Sequence, residues 1–107
     1  VRVQDAAGAS AFYSGDGRPT PESLELARGV SLVVHEAFSL HGEVEGHGTV
    51  ATACAFAREA GAKALAVVHV RREERHARAA EIRAMLAAQT DLAAFMPEPG
   101  DWREVGP

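Results

Sequence analysis

The chain has 107 residues, 47% of them hydrophobic and 24% charged, with a net charge of −4, as expected of one ordinary globular domain with a modest core. The negative balance excludes general electrostatic coating of nucleic acid, and no run reaches the roughly 18 apolar residues that a membrane-spanning helix needs. A single cysteine, Cys54, excludes an internal disulfide and a cysteine-rich zinc site, so a reducing cytoplasm is the expected compartment.

Val1–Asp5 lack the apolar stretch of a signal peptide. Val1–Val3 and Ala11–Ser14, separated by Ala7-Gly8-Ala9, read as a hairpin or meander in the middle of a sheet. Gly15-Asp16-Gly17-Arg18-Pro19 is a turn. Thr20 then caps a first helix with Pro21 at its first position, where the missing N–H costs nothing; Leu24 and Ala27 form its inner stripe and Gly29 ends it.

Ser31–His35 is apolar enough for a parallel strand buried on both faces. A loop with three glycines runs from Phe38 to Gly48. Thr49 caps a second helix, whose apolar positions Val50, Ala53, Ala57 and Ala60 keep a helical interval up to Gly61. Ala64–Val68 is the next buried strand, and Glu73 to about Ala88 reads as one helix with Ile82, Met85 and Leu86 inward. Pro97, Pro99 and Gly100 precede a short closing strand near Trp102–Val105. Strand–helix–strand twice over predicts an α/β domain with a mixed, largely parallel sheet and helices mainly on one face.

Three strand-like runs end on residues with metal-ligating chemistry: Ala11–Ser14 runs into Asp16, Ser31–Val34 into His35 and Ala64–Val68 into His69. The carboxyl ends of neighbouring parallel strands face a common crevice. A carboxylate and imidazoles delivered there suit a hard or borderline divalent cation, foremost zinc. Each residue also has a plainer reading. Asp16 between two glycines fits an Asx-type turn as well as a carboxylate bridging two cations, and His69 fits a ring satisfying a backbone group at a strand end. Glu36 with His47 is the carboxylate–imidazole pairing of general acid–base chemistry, while singly they read as a loop acid and a helix-entry residue. His41 and His76 are assigned to solvent, and Cys54 to the core. Arg71, Arg72, Arg75 and Arg78 read as a solvated helix face or, beside His69, a phosphate contact. Glu36, Glu43 and Glu45 crowd the segment after His35.

Taken in order, Ser14-Gly15-Asp16, Leu32-Val33-Val34-His35-Glu36-Ala37, Gly46-His47-Gly48-Thr49 and Ala57-Arg58-Glu59-Ala60-Gly61 leading to Val67-Val68-His69 resemble the C-terminal half of the metallo-β-lactamase-fold hydrolases. The resemblance is closest to the branch that includes ribonuclease Z, the tRNA 3′-processing endonuclease. It implies half of an αββα sandwich in a single domain over residues 1–107. It also implies that Asp16 bridges two zinc ions, that His69 ligates one of them, and that Glu36 and His47 form the acid–base pair of a phosphodiesterase. Gly17 stands where the family usually has threonine, and Val70-Arg71-Arg72 follows the last histidine where ribonuclease Z has a different pattern.

The family's main metal fingerprint, His-x-His-x-Asp-His, is nowhere in these residues, so the chain is expected to carry only part of the metal site and to be inactive alone. Its expected partners are the missing N-terminal half or another copy of the chain, with homo-oligomer formation, and a phosphoester or RNA substrate in the complete enzyme; a membrane is not among them. Exposed apolar sheet in such a half would drive self-association. Two competing readings remain at this point: an α/β module binding an anion at the helix N-termini near Thr20 and Thr49, and a structural remnant without chemistry.

Overall fold

A computed structural model describes residues 1–40, 42 and 46–107. The elements are β1 (Arg2–Gln4), β2 (Ser10–Tyr13), α1 (Pro21–Ala27), β3 (Leu32–Glu36), α2 (Val50–Ala60), β4 (Ala64–Val68), α3 (Arg72–Ala77), α4 (Ala79–Ala87) and β5 (Ala93–Phe95). One five-stranded sheet has the order β1-β2-β3-β4-β5. β1 is antiparallel to β2, and every later neighbour is parallel.

This order has a simple consequence. Each crossover from β2 onward steps one strand in the same direction, and right-handed crossovers then bring every helix to the same face. Accordingly α1 packs on α2 and β2, α2 on β3, β4 and α4, and α4 on β5. In register across the sheet, Phe12, Val33 and Leu65 face these helices and are buried at 2%, 0% and 0% exposure. Ala53, Ala57 and Ala60 let α2 lie close to the strands, and Phe56, Ile82 and Leu86 complete the core.

The opposite face is far less covered. Tyr13 is 51% exposed, and Val34 beside it is only partly buried. Part of that face is screened by the C-terminal tail, where the Arg103 guanidinium lies 3.8 Å over the Phe95 ring and Lys63 Nζ donates to the Pro107 carbonyl at 2.9 Å.

Both predicted helix starts form as local chemistry dictates. The Thr20 hydroxyl accepts from the Ser23 N–H at 3.0 Å, and the Thr49 hydroxyl from the Thr52 N–H at 3.1 Å. In return the Ser23 and Thr52 hydroxyls accept from the N–H of Thr20 and Thr49, closing reciprocal boxes. Gly61 ends α2 with φ 76°, a left-handed geometry that glycine adopts without strain.

Three sequence expectations need correction. The first strand lies at the sheet edge rather than its middle, with all three residues exposed. The Glu73–Ala88 segment forms two helices, because Arg78 leaves helical geometry at φ −127°, ψ 20° while its side chain pairs with Glu74 and Glu81. The closing strand is Ala93–Phe95 rather than Trp102–Val105, and Trp102 is 83% exposed. Leu92 and Met96 anchor this strand in the core, whereas Pro97 and Pro99 lack the N–H that a ladder needs.

Removing the Thr49 hydroxyl in Thr49→Ala is expected to cost about 1 kcal/mol, measured as a lowered urea midpoint. An unchanged midpoint would show that α2 does not depend on its cap.

Candidate active site

The carboxyl ends of β2, β3 and β4 lie side by side, and the predicted residues gather there. Asp16 follows β2, Glu36 ends β3, and His69 immediately follows β4. His47 arrives from the loop before α2, two residues ahead of the Thr49 cap.

Glu36 is fully buried. Its Oε1 accepts from the Gly17 N–H at 3.1 Å, the Gly48 N–H at 3.1 Å and His47 Nδ1 at 3.0 Å. One oxygen therefore ties the Asp16 loop and the His47 loop to the end of β3. Its other oxygen, Oε2, is buried without a hydrogen-bond partner among the described residues. The Glu36 N–H donates to the Ser14 hydroxyl at 2.9 Å, fastening β3 to the end of β2. Because an ionised carboxylate only accepts, His47 carries its hydrogen on Nδ1, leaving Nε2 as the ring nitrogen free of that bond.

His47 is held on a second side by Phe38, whose ring stacks on it at 4.4 Å and 20°. The His69 ring lies 5.8 Å from His47, edge-on at 70°. His69 Nδ1 and Asp16 Oδ1 are 2.9 Å apart, so the two predicted metal residues meet directly. His69 adopts φ 58°, a conformation costly for a side-chain-bearing residue and concentrated at functional positions. One donor atom each from Glu36, His47 and His69 lie within 4.8 Å of one another.

The donor chemistry fits a divalent cation: oxygen from Asp16 and nitrogen from His69 are both presented at the crevice. Glu36 completes the geometric cluster; its Oε1 accepts three hydrogen bonds and orients His47, while its Oε2 has no partner among the described residues. A tetrahedral site needs four donors, and Asp16 and His69 account for two.

His35, which also ends a strand-like run, does not join the site. It points to the helix side, 1% exposed, with its ring 4.8 Å edge-on from Phe56 and Nδ1 2.9 Å from the Glu36 carbonyl. Burial pushes its pKa below the ordinary histidine value, partly offset by that carbonyl. His76 is exposed as expected, while His41, Glu43 and Glu45 lie outside the described residues. Cys54 is buried, and burial raises its thiol pKa.

The arginines after His69 are largely engaged with acids: Arg71 with Glu73 at 3.0 Å, Arg75 with Glu98 at 2.7 Å, Arg78 with Glu74 at 3.2 Å, and Arg83 with Glu98. The hydrogen bond from Arg75, then that from Arg83, holds the Glu98 carboxyl below the usual range. These pairs describe a solvated helix face. The helix starts are similarly occupied, since the capping boxes use the N–H groups of Thr20, Ser23, Thr49 and Thr52, and Val50 N–H donates to the Ser39 carbonyl at 3.0 Å. Few donors remain there for an anion.

Sequence reasoning missed Phe38 and the two glycine N–H groups. Phe38 stands two residues after Glu36, an aromatic at a loop start beside a histidine-rich site, and that was the available signal.

No protein-family model matches the chain. It is 42% identical over 67 residues to ribonuclease Z of Brevibacillus brevis, covering 58% of this chain and 21% of that enzyme. With ribonuclease Z of Archaeoglobus fulgidus it shares 36% identity over 69 residues, covering 59% of this chain and 22% of that one. The chain thus spans about a fifth of the length of these curated relatives. Among solved structures, the metallo-β-lactamase fold protein YhfI from Bacillus subtilis superimposes with a TM-score of 0.66 at 17% identity, over 84% of this chain and 37% of that one. A diphosphatase of the PhnP family does so with a TM-score of 0.57 at 18% identity, over 82% and 32%.

Because burial lowers the folded pKa of His35 below its unfolded value, its contribution is intact above about pH 6.5 and is lost as pH falls toward its lowered folded value. Unfolding free energy is expected to drop between pH 7.5 and 5.5, and to drop less in His35→Leu. Equal pH slopes for the two proteins in urea titrations would reject this role.

Proposed function

From a chain that is ribonuclease Z-like in sequence and carries part of a metallo-β-lactamase fold, we propose that residues 1–107 supply the C-terminal part of the active site of a metal-dependent phosphodiesterase. The observation that carries this reading is the meeting of two pairs, Asp16–His69 and Glu36–His47, at the ends of three adjacent parallel strands. Asp16 and His69 are the metal donors, zinc is the proposed ion, and the remaining donors come from a His-x-His-x-Asp-His stretch outside these residues.

Bound there, a divalent ion supplies Lewis acidity toward a phosphoryl group and lowers the pKa of a nucleophilic water. The chain's own contribution to chemistry is the dyad. Glu36 fixes His47 with hydrogen on Nδ1, so that a proton held at Nε2 is presented to the leaving oxygen. Phe38 holds the ring plane, limiting the orientations in which that transfer is possible.

The less covered sheet face supports the further proposal that an N-terminal half, or another copy of the chain in a homo-oligomer, packs against it. Cytoplasmic placement rests on the one cysteine being a buried thiol. Among the described residues no helix is long and apolar enough to cross a membrane.

In the protein that carries this chain, Asp16→Ala is expected to abolish phosphodiester hydrolysis, and His47→Ala to lower kcat by about 10²–10⁴-fold while metal content stays unchanged. Full turnover in either variant would remove its assigned role. Residues 1–107 alone should bind zinc weakly or not at all in calorimetry, and should associate in sedimentation. Submicromolar zinc binding by a sharp monomer would show that the site is complete without outside donors.

A further inference from the structure

Beside the site lies a cleft of about 560 Å³ between the start of α1 and one side of α2, within the range of small-ligand sites. Its walls include Pro19, Pro21, Leu24, Ala55 and Phe56, and His47 closes one side. The same imidazole therefore belongs to the proton-transfer dyad and to the cleft.

We propose that this cleft is the subsite for the leaving portion of the substrate, and that it takes one planar, uncharged aromatic group of nucleobase type. The inference rests on the hydrolase reading above. A leaving oxygen within reach of His47 carries its attached group away from the Asp16–His69 pair. Phe38 covers one face of the His47 ring at 4.4 Å, and the His69 edge lies 5.8 Å away. The cleft is the open space that His47 borders.

The lining decides the class of group. The Pro19 and Pro21 rings and the Leu24 side chain offer the cleft apolar surface for a base to lie against, while Phe56, 4% exposed, forms only its floor. The hydroxyls of Thr20, Thr49 and Thr52, which also border the cleft, are engaged in the capping boxes. Among the described residues its charged members are Arg18 and Glu59, which are opposite in sign. Such a cleft provides neither a donor cradle nor a positive field for a second phosphate, and it favours stacking on a single base.

The test fills the cleft from its solvent side. Ala55 is exposed on α2, so Ala55→Trp, or the milder Ala55→Phe, adds bulk there without entering the core. Two dinucleotides serve as substrates, one complete and one abasic on its leaving side. In the protein that carries this chain, the unmodified form should prefer the complete substrate by about tenfold in kcat/KM. Ala55→Trp should erase that preference by losing activity on the complete substrate, with the abasic one changed less than about twofold. An absent preference, or an equal loss on both substrates, would overturn the proposal. If the unmodified protein hydrolyses neither substrate, the hydrolase reading falls, and a titration followed by NMR decides the cleft by itself. Adenosine, but not ribose, should then shift the Leu24 and Ala55 amides in the unmodified protein and not in Ala55→Trp. No shift with adenosine would reject the cleft as a base site.

Discussion

A single buried carboxylate oxygen organises this end of the molecule. Glu36 Oε1 accepts from two glycine N–H groups on different loops and from the His47 ring, all within 3.1 Å. Burying a charge is costly unless it is hydrogen-bonded, and charge-assisted bonds of this kind are stronger than neutral ones. The bonds that offset the burial of Glu36 also set the positions of the Asp16 loop and of His47. The orientation of His47 and the placement of Asp16 thus share one cause.

That carboxylate reaches both loops because of where β3 runs. It lies between β2 and β4 in parallel register, with Tyr13 opposite Val34 and Glu36 opposite Val68. The ends of all three strands therefore arrive at one edge, each delivering a residue that the others can meet. The uniform right-handed crossovers stack the helices on the other end of the same logic. They cover one face of the sheet with alanine-rich α2, while the face carrying Tyr13 and Val34 keeps solvent exposure. The polar site and the half-covered sheet both follow from a strand order that advances one step at a time.

Much of this was legible in the residues. Thr49, the alanine interval and Gly61 specify α2 through interactions no more than a few positions apart. The run Ala64–Val68 specifies β4 by composition. The four residues Asp16, Glu36, His47 and His69 were legible as an ordered set resembling a known family, and the chain is similar to ribonuclease Z over 67 residues. What stayed hidden was long-range. No glycine or proline near Arg78 marks it as a break between helices, and its pairs with Glu74 and Glu81 have the spacing of an unbroken helix. Ala93–Phe95 becomes a strand because β4 has an open edge to pair with, and three short residues carry too little pattern to announce it.

The sequence by itself determined the local features: capped helices, apolar strands, turns at glycine pairs and the chemical types available at each strand end. Those depend on torsional preference and on hydrogen bonds between near neighbours. Only the tertiary structure decided that His35 turns into the core between Phe12 and Phe56, while the adjacent Glu36 anchors the site. Successive residues of a strand point to opposite sides, so which of two neighbouring polar residues becomes structural depends on which face the helices cover, and that is fixed by packing across the whole sheet.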